Sequence, residues 1–349
     1  MKTQTLSFWL KSFVILFALG LVACQGDTGP AGPEGPQGVA GEDGQNGAEN
    51  CMQCHDNSQL IAAKVYQWEN SVHYMGGHNE RNDPACAVCH TSQGFVERIK
   101  TGEMETADVI QDPLPPNCYT CHQVHETYTD ADWDFTSSDP VTLWVGGETK
   151  DIGLGNICLN CHQARLVTPA IPDLADTDSV TITSPFWGPH HGSQGALFTG
   201  SSSYEVGEGY TNSNHSTLLV GTGCIECHMA EATKGRDAGG HTFRVESEDG
   251  VLNFNACVTC HSDQAALLVL KEETQAELEA ALGGLKIALT DIGILSFQFG
   301  SDRATPGSWK PVEVGALWNY LYLEEDKSYG IHNFTYAMTL VENSIAALN

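Results

Sequence analysis

The chain repeats one short pattern six times, and no other feature limits its structure so severely. The copies are Cys51-x-x-Cys54-His55, Cys86-x-x-Cys89-His90, Cys118-x-x-Cys121-His122, Cys158-x-x-Cys161-His162, Cys224-x-x-Cys227-His228 and Cys257-x-x-Cys260-His261. In each, two thiols can add across the vinyl groups of one haem while the adjacent imidazole reaches its iron, so the spacing reads as c-type haem attachment. Disulfides, zinc pairs and thiol-exchange motifs do not call for a histidine directly after the second cysteine every time. Twelve of the thirteen cysteines are used this way. The sequence therefore predicts six covalently bound c-type haems, with twelve attachment cysteines and six proximal histidine ligands.

A length of 349 residues allows two or three domains. The formal net charge of −28 repels nucleic acid and anionic membrane surfaces, and it favours basic partners, cations and metal oxide surfaces. Covalent haem attachment by paired thiols takes place after export, and the N-terminus carries a matching signal. Lys2 and Lys11 precede an apolar stretch from Phe13 to Ala23, which is short for a spanning helix and has the form of a signal peptide core over residues 1–23. Leu21-Val22-Ala23-Cys24 resembles the lipobox of bacterial lipoproteins, which makes Cys24 the expected lipidation site. Gln25, rather than Asp, follows it. That points to the outer membrane, on either its periplasmic or its cell-surface face.

Residues 24–50 hold this cysteine and a collagen-like run in which glycine recurs at every third position from Gly26 to Gly47. Three polyproline-II chains wind together only when glycine sits at the crowded axis. Two readings stand: a homotrimer, or an extended tether of roughly 70 Å at about 3.1 Å per residue.

The hexahaem region spans residues 51–262, with much Gly, Pro, Ser, Thr and Asp between the motifs. Six macrocycles would supply much of its apolar core, so the polypeptide can be loop-rich and should not fold without them. A short helix is expected over Ile61–Trp68, and helical turns just after each motif. Residues 263–349 form a C-terminal helical region. Leu267, Leu270, Thr274, Leu278, Leu282, Leu285 and Leu289 predict one amphipathic helix, with a kink at Gly283-Gly284. A loop at Thr305–Pro311 precedes a second helix over Glu313–Glu324, and a third runs over Phe334–Leu348. The fold class is mainly α with extensive loops: a haem-packed multihaem cytochrome c with C-terminal helices.

What sits opposite each motif histidine decides between carrier and enzyme, because two nitrogen ligands close an iron and an open position admits substrate. Eight histidines remain for six positions: His73, His78, His125, His190, His191, His215, His241 and His332. His73 and His78 lie close together, so one of them suffices. His125 follows His122 too closely to share its iron and suits a neighbouring haem. Of His190 and His191, one ligates and the other is free to bond a propionate. The selected set is His73, His125, one of His190 or His191, His215, His241 and His332, the last at the start of the final helix.

Cys224-Ile-Glu-Cys-His-Met229 followed by Gly-His241-Thr-Phe, and Asp326-Lys-Ser-Tyr-Gly-Ile-His332-Asn-Phe-Thr-Tyr336, resemble the closing part of the bacterial multihaem c-type cytochrome superfamily. That superfamily includes cytochrome c nitrite reductase, the octahaem reductases and outer-membrane electron-transfer cytochromes. The resemblance implies distal haem ligation by His241 and His332. Cys89-His-Thr-Ser-Gln-Gly-Phe95, Cys158-Leu-Asn-Cys-His-Gln-Ala-Arg165 and Pro189-His-His-Gly-Ser-Gln194 are similar to secreted and lipoprotein cytochromes of metal-reducing bacteria. The Cys-x-x-Cys-Lys site typical of cytochrome c nitrite reductase does not occur.

The expectation is a lipid-anchored hexahaem cytochrome that relays electrons through low-potential bis-histidine haems in anaerobic or extracellular respiration, with donor and acceptor cytochromes or metal oxides as partners. The alternatives are a multihaem oxidoreductase acting on nitrite, hydroxylamine or a sulfur oxyanion at one open haem, and a subunit of a cytochrome filament.

Overall fold

The computed structural model describes residues 55, 59–76, 78–232 and 238–349. The signal peptide, Cys24, the glycine repeat, Cys51 and Cys54 lie outside them. Residues from Ala48 to the C-terminus form one compact unit.

The fold is mostly helix and loop. Among the described residues, six helices longer than one turn and a half carry it: α1 (Gln59–Glu69), α2 (Pro84–His90), α3 (Ser92–Thr101), α4 (Gln264–Asp291), α5 (Pro311–Asp326) and α6 (Phe334–Leu348). Their ends are written in the sequence. Pro84 opens α2 with its φ already set, and Thr91 caps α3 by accepting from the Gly94 amide at 2.9 Å. Asp263 caps α4, accepting from the Ala265 and Ala266 amides at 3.0 and 3.1 Å. Pro311 starts α5, with the Glu313 carboxylate reaching back to the Lys310 amide at 2.8 Å.

The motifs do not each launch a helix, as the sequence reading expected. More often the motif is itself the helical turn, as in Pro84–His90, Cys118–Cys121 and Cys224–His228. Among the described residues, helix follows closely after His55, His90 and His261. The chain turns away after His122 and His162, where the backbone must instead bring a distant segment over the imidazole.

Strands are short and were not anticipated. β1 (Val141–Thr142) pairs with β2 (Thr149–Lys150), β3 (Val180–Ile182) with β6 (Gly307–Trp309), and β4 (Leu295–Gln298) with β5 (Ser301–Ala304), all antiparallel. The β4–β5 hairpin turns on Phe299 and Gly300, both at positive φ, as a tight two-residue turn requires. The segment read as a plain loop at Thr305–Pro311 thus contains β6. Its partner β3 lies before the last two motifs, which ties the tail to the motif-bearing chain.

The main apolar core sits in the tail. Leu278, Leu282, Leu285 and Leu289 of α4 pack with Leu317, Trp318, Tyr320 and Tyr322 of α5 and Leu340 and Val341 of α6, and Ala164, Trp187, Leu197 and Tyr204 close the same cluster. α4 runs unbroken through Gly283-Gly284, and only its C-terminal half is buried; Leu270 is 51% exposed. α5 is wrapped on all sides. Its buried Asn319 binds both the amide and the carbonyl of Tyr204 and the Ser344 hydroxyl, while Trp318 and Tyr322 donate to the Ser202 and Ser201 carbonyls. A Cβ at Gly315 would lie 2.2 Å from the Tyr204 ring, so that ring packs directly on the α5 backbone only because the position is glycine.

Among the described residues, by contrast, no hydrophobic side chain is buried between Phe95 and Val141, and only Ala238 is buried between Tyr204 and Leu278. Motifs three, five and six lie in these stretches. A chain this poor in apolar packing needs another source of buried hydrophobic area.

Candidate functional site: six opposed histidine pairs

Each motif histidine faces one other histidine. The ring centroids stand 6.1 Å apart for His55 and His125, 6.1 Å for His90 and His190, and 6.2 Å for His122 and His241. They stand 6.2 Å apart for His162 and His73, 6.2 Å for His228 and His332, and 6.3 Å for His261 and His215. Side chains meeting by ordinary packing would not repeat one separation six times. A metal–imidazole bond is about 2 Å long and the ring centre lies about 1 Å behind its nitrogen, so two imidazoles in line through one metal stand about 6 Å apart. The pairs therefore fit an iron between each two rings. Among the described residues no three His, Cys, Asp or Glu converge as they would on a single bare metal ion.

Hydrogen bonds hold many of these rings by Nδ1, which leaves Nε2 for a metal. His122 donates to the Trp133 carbonyl at 2.6 Å, His215 to the Ile331 carbonyl at 2.7 Å and His228 to the Phe243 carbonyl at 2.8 Å. Gln194 Oε1 holds His162 at 2.9 Å, the Tyr119 hydroxyl lies 3.2 Å from His125, and Asp326 holds His332 at 2.5 Å. These partners were not identified from the sequence. Carbonyl acceptors leave no sequence signal, and Gln194 and Asp326 stood only as unassigned members of longer motifs.

Two distal histidines owe their direction to unusual backbone. His125 and His190 have φ of +67° and +70°, which swings each ring out of the path that the preceding residues set. His125 thus turns from its own motif toward His55. His190 turns toward His90, whereas His191 lies beside it at 4.6 Å with its Nδ1 on the Glu325 carboxylate at 2.7 Å. His78 is exposed and pairs with Glu80 at 3.0 Å. His332 precedes α6 rather than starting it.

Burial keeps three of the opposing imidazoles neutral, the form that can ligate. It lowers the pKa of His73 to about 4, helped by His162 and His228, and does the same at His190 and His241. At His332 burial pulls the same way, but the carboxylate of Asp326 outweighs it and the pKa rises.

None of the ten described cysteines forms a disulfide. Burial pushes Cys121 up to about 12 and Cys227 to about 11, whereas the hydrogen bond with Cys158 draws Cys224 down to about 7. The motifs also touch one another. Cys89 meets Cys161 and Cys158 meets Cys224, each thiol within hydrogen-bond reach of its partner. Phe243 lies 4.8 Å from the His73 ring and 5.9 Å from His241, and its carbonyl holds His228. One residue thus borders three of the pairs.

No protein-family model matches the chain, and no curated protein does. Among solved structures its fold is similar to the crystal structure of the outer cell wall cytochrome OcwA, with a TM-score of 0.52 and 18% identity over 82% of this chain. The chain spans about half of that protein, 50% of which is covered.

Proposed function

We propose that this protein is an electron carrier holding six c-type haems, each between two histidines. The single observation that carries the reading is the recurrence of a 6.1–6.3 Å ring separation at all six motif histidines. The distal set is His73, His125, His190, His215, His241 and His332. When bound, haem iron supplies a one-electron couple, and paired imidazoles with net negative charge favour its ferric state and a low potential. The chain's part is to fasten each group by two thioethers, hold an imidazole on either side, many of them by Nδ1 bonds, and leave no coordination position open to substrate. Every motif histidine finds its partner ring within the same chain, which supports a discrete carrier over subunits joined by shared ligands.

Anchorage through Cys24 to the outer membrane, with the glycine repeat as spacer or trimer stem, completes the proposal. Similarity to a cytochrome described as of the outer cell wall supports work outside the cytoplasm. Among the described residues no helix is long and apolar enough to cross a membrane. Partners would be donor and acceptor cytochromes or a metal oxide. Electron paramagnetic resonance of the oxidised protein tests the central claim: six low-spin ferric haems are expected. A high-spin fraction that binds cyanide or nitrite overturns it in favour of an oxidoreductase.

A further inference from the structure

The six pairs differ in what stands behind their rings. Of the Nδ1 bonds described above for the paired rings, all but one run to a main-chain carbonyl, an amide oxygen or a phenol. His332 faces the carboxylate of Asp326, at the end of α5, at 2.5 Å. Asp326 is 3% exposed. Its second oxygen accepts from the Ser328 amide at 3.1 Å and from the Ser328 hydroxyl. Each of these partners can donate, as an ionised carboxylate requires.

Burial and charge act in opposite directions on an iron held by such a ring. Enclosure in low dielectric penalises the ferric form, which carries one more positive charge than the ferrous, and so raises the potential. His228 and His332 are partly buried, as are most of the paired rings, whereas His55, His125 and His215 are exposed. Left uncompensated, an enclosed site would be easier to reduce than its exposed neighbours and would detain electrons. A buried anion drawing on the Nδ1 proton acts the other way, since it makes the imidazole a stronger donor and adds negative charge beside the metal.

We propose that Asp326 is a positioning residue that lowers the potential of the haem between His228 and His332, keeping this interior site level with the exposed ones. The inference rests on the ligand reading above. Gln194 and the carbonyl acceptors orient their rings without this charge. Asp326 both orients and tunes.

Redox titration of the haem-loaded protein, followed optically and by electron paramagnetic resonance, compares the wild type with Asp326→Asn and Ser328→Ala. Asparagine keeps the size of the side chain and offers a neutral acceptor. One of the six midpoint potentials should then move positive and one low-spin signal should shift, while the other five stay. Ser328→Ala removes a hydroxyl that shares the carboxylate, so the same potential should move negative. Unmoved potentials in fully loaded, low-spin variants overturn the proposal. If Asp326→Asn fails to fold, Ser328→Ala carries the test alone, and any result other than a negative shift overturns it. Haem count and the oxidised spectrum of the wild type come first: fewer than six low-spin haems there defeats the ligand reading itself, so the two failures are told apart.

Discussion

At the scale of single residues, adjacent histidines do different work. His190 opposes His90 at 6.1 Å while His191 bonds Glu325. Replacing His190 by alanine should therefore convert one of six haems to high spin, whereas His191→Ala should leave all six low-spin; the oxidised absorption spectrum separates the two. The sequence left these neighbours equivalent. They differ only in direction, which a φ of +70° at His190 decides and no local pattern announces. The motif histidines could be picked out for the opposite reason, since each stands one residue after a cysteine. The distal candidates could be gathered by scarcity alone, because few strong haem ligands remained. Their partners across the pairs could not, for each joins segments far apart in the chain.

At the scale of elements, α4 shows what periodicity does and does not reveal. Its leucine stripe predicted a helix, and the helix forms over Gln264–Asp291, but only the end that meets α5 and α6 is covered. A stripe records which side is apolar without recording how much of it finds a partner. Leu285→Ala should cost about 3 kcal/mol, in the range for a fully buried leucine. Leu270→Ala, at a half-exposed site, should cost less than about 0.5 kcal/mol. Denaturant unfolding of the haem-loaded protein, monitored by far-ultraviolet circular dichroism, measures both. The short strands escaped prediction because two- to four-residue segments carry too little alternation to read. Tertiary pairing creates them, as where β3 finds β6 across more than a hundred residues.

At the scale of the whole molecule, each opposed pair, once bridged by metal, acts as a cross-link. The span between His122 and His241 closes a loop of about 120 residues, and constraints on loops of that length stabilise by restricting the unfolded chain. The stretches around motifs three, five and six have almost no buried hydrophobic side chains of their own. Protein made without haem attachment should accordingly be cut rapidly by protease within residues 55–262, while the tail helices keep their circular dichroism. The loaded form should resist.

The order of the pairs along the chain bears on how the molecule is made. For His55, His90, His122 and His228 the facing ring lies later in the sequence, and only His162 and His261 have theirs behind them. A polypeptide threaded outward from its N-terminus thus exposes four attachment points before their facing rings arrive. The first is completed once residue 125 has crossed, the next two at residues 190 and 241, and the one at His228 waits for residue 332, close to the end.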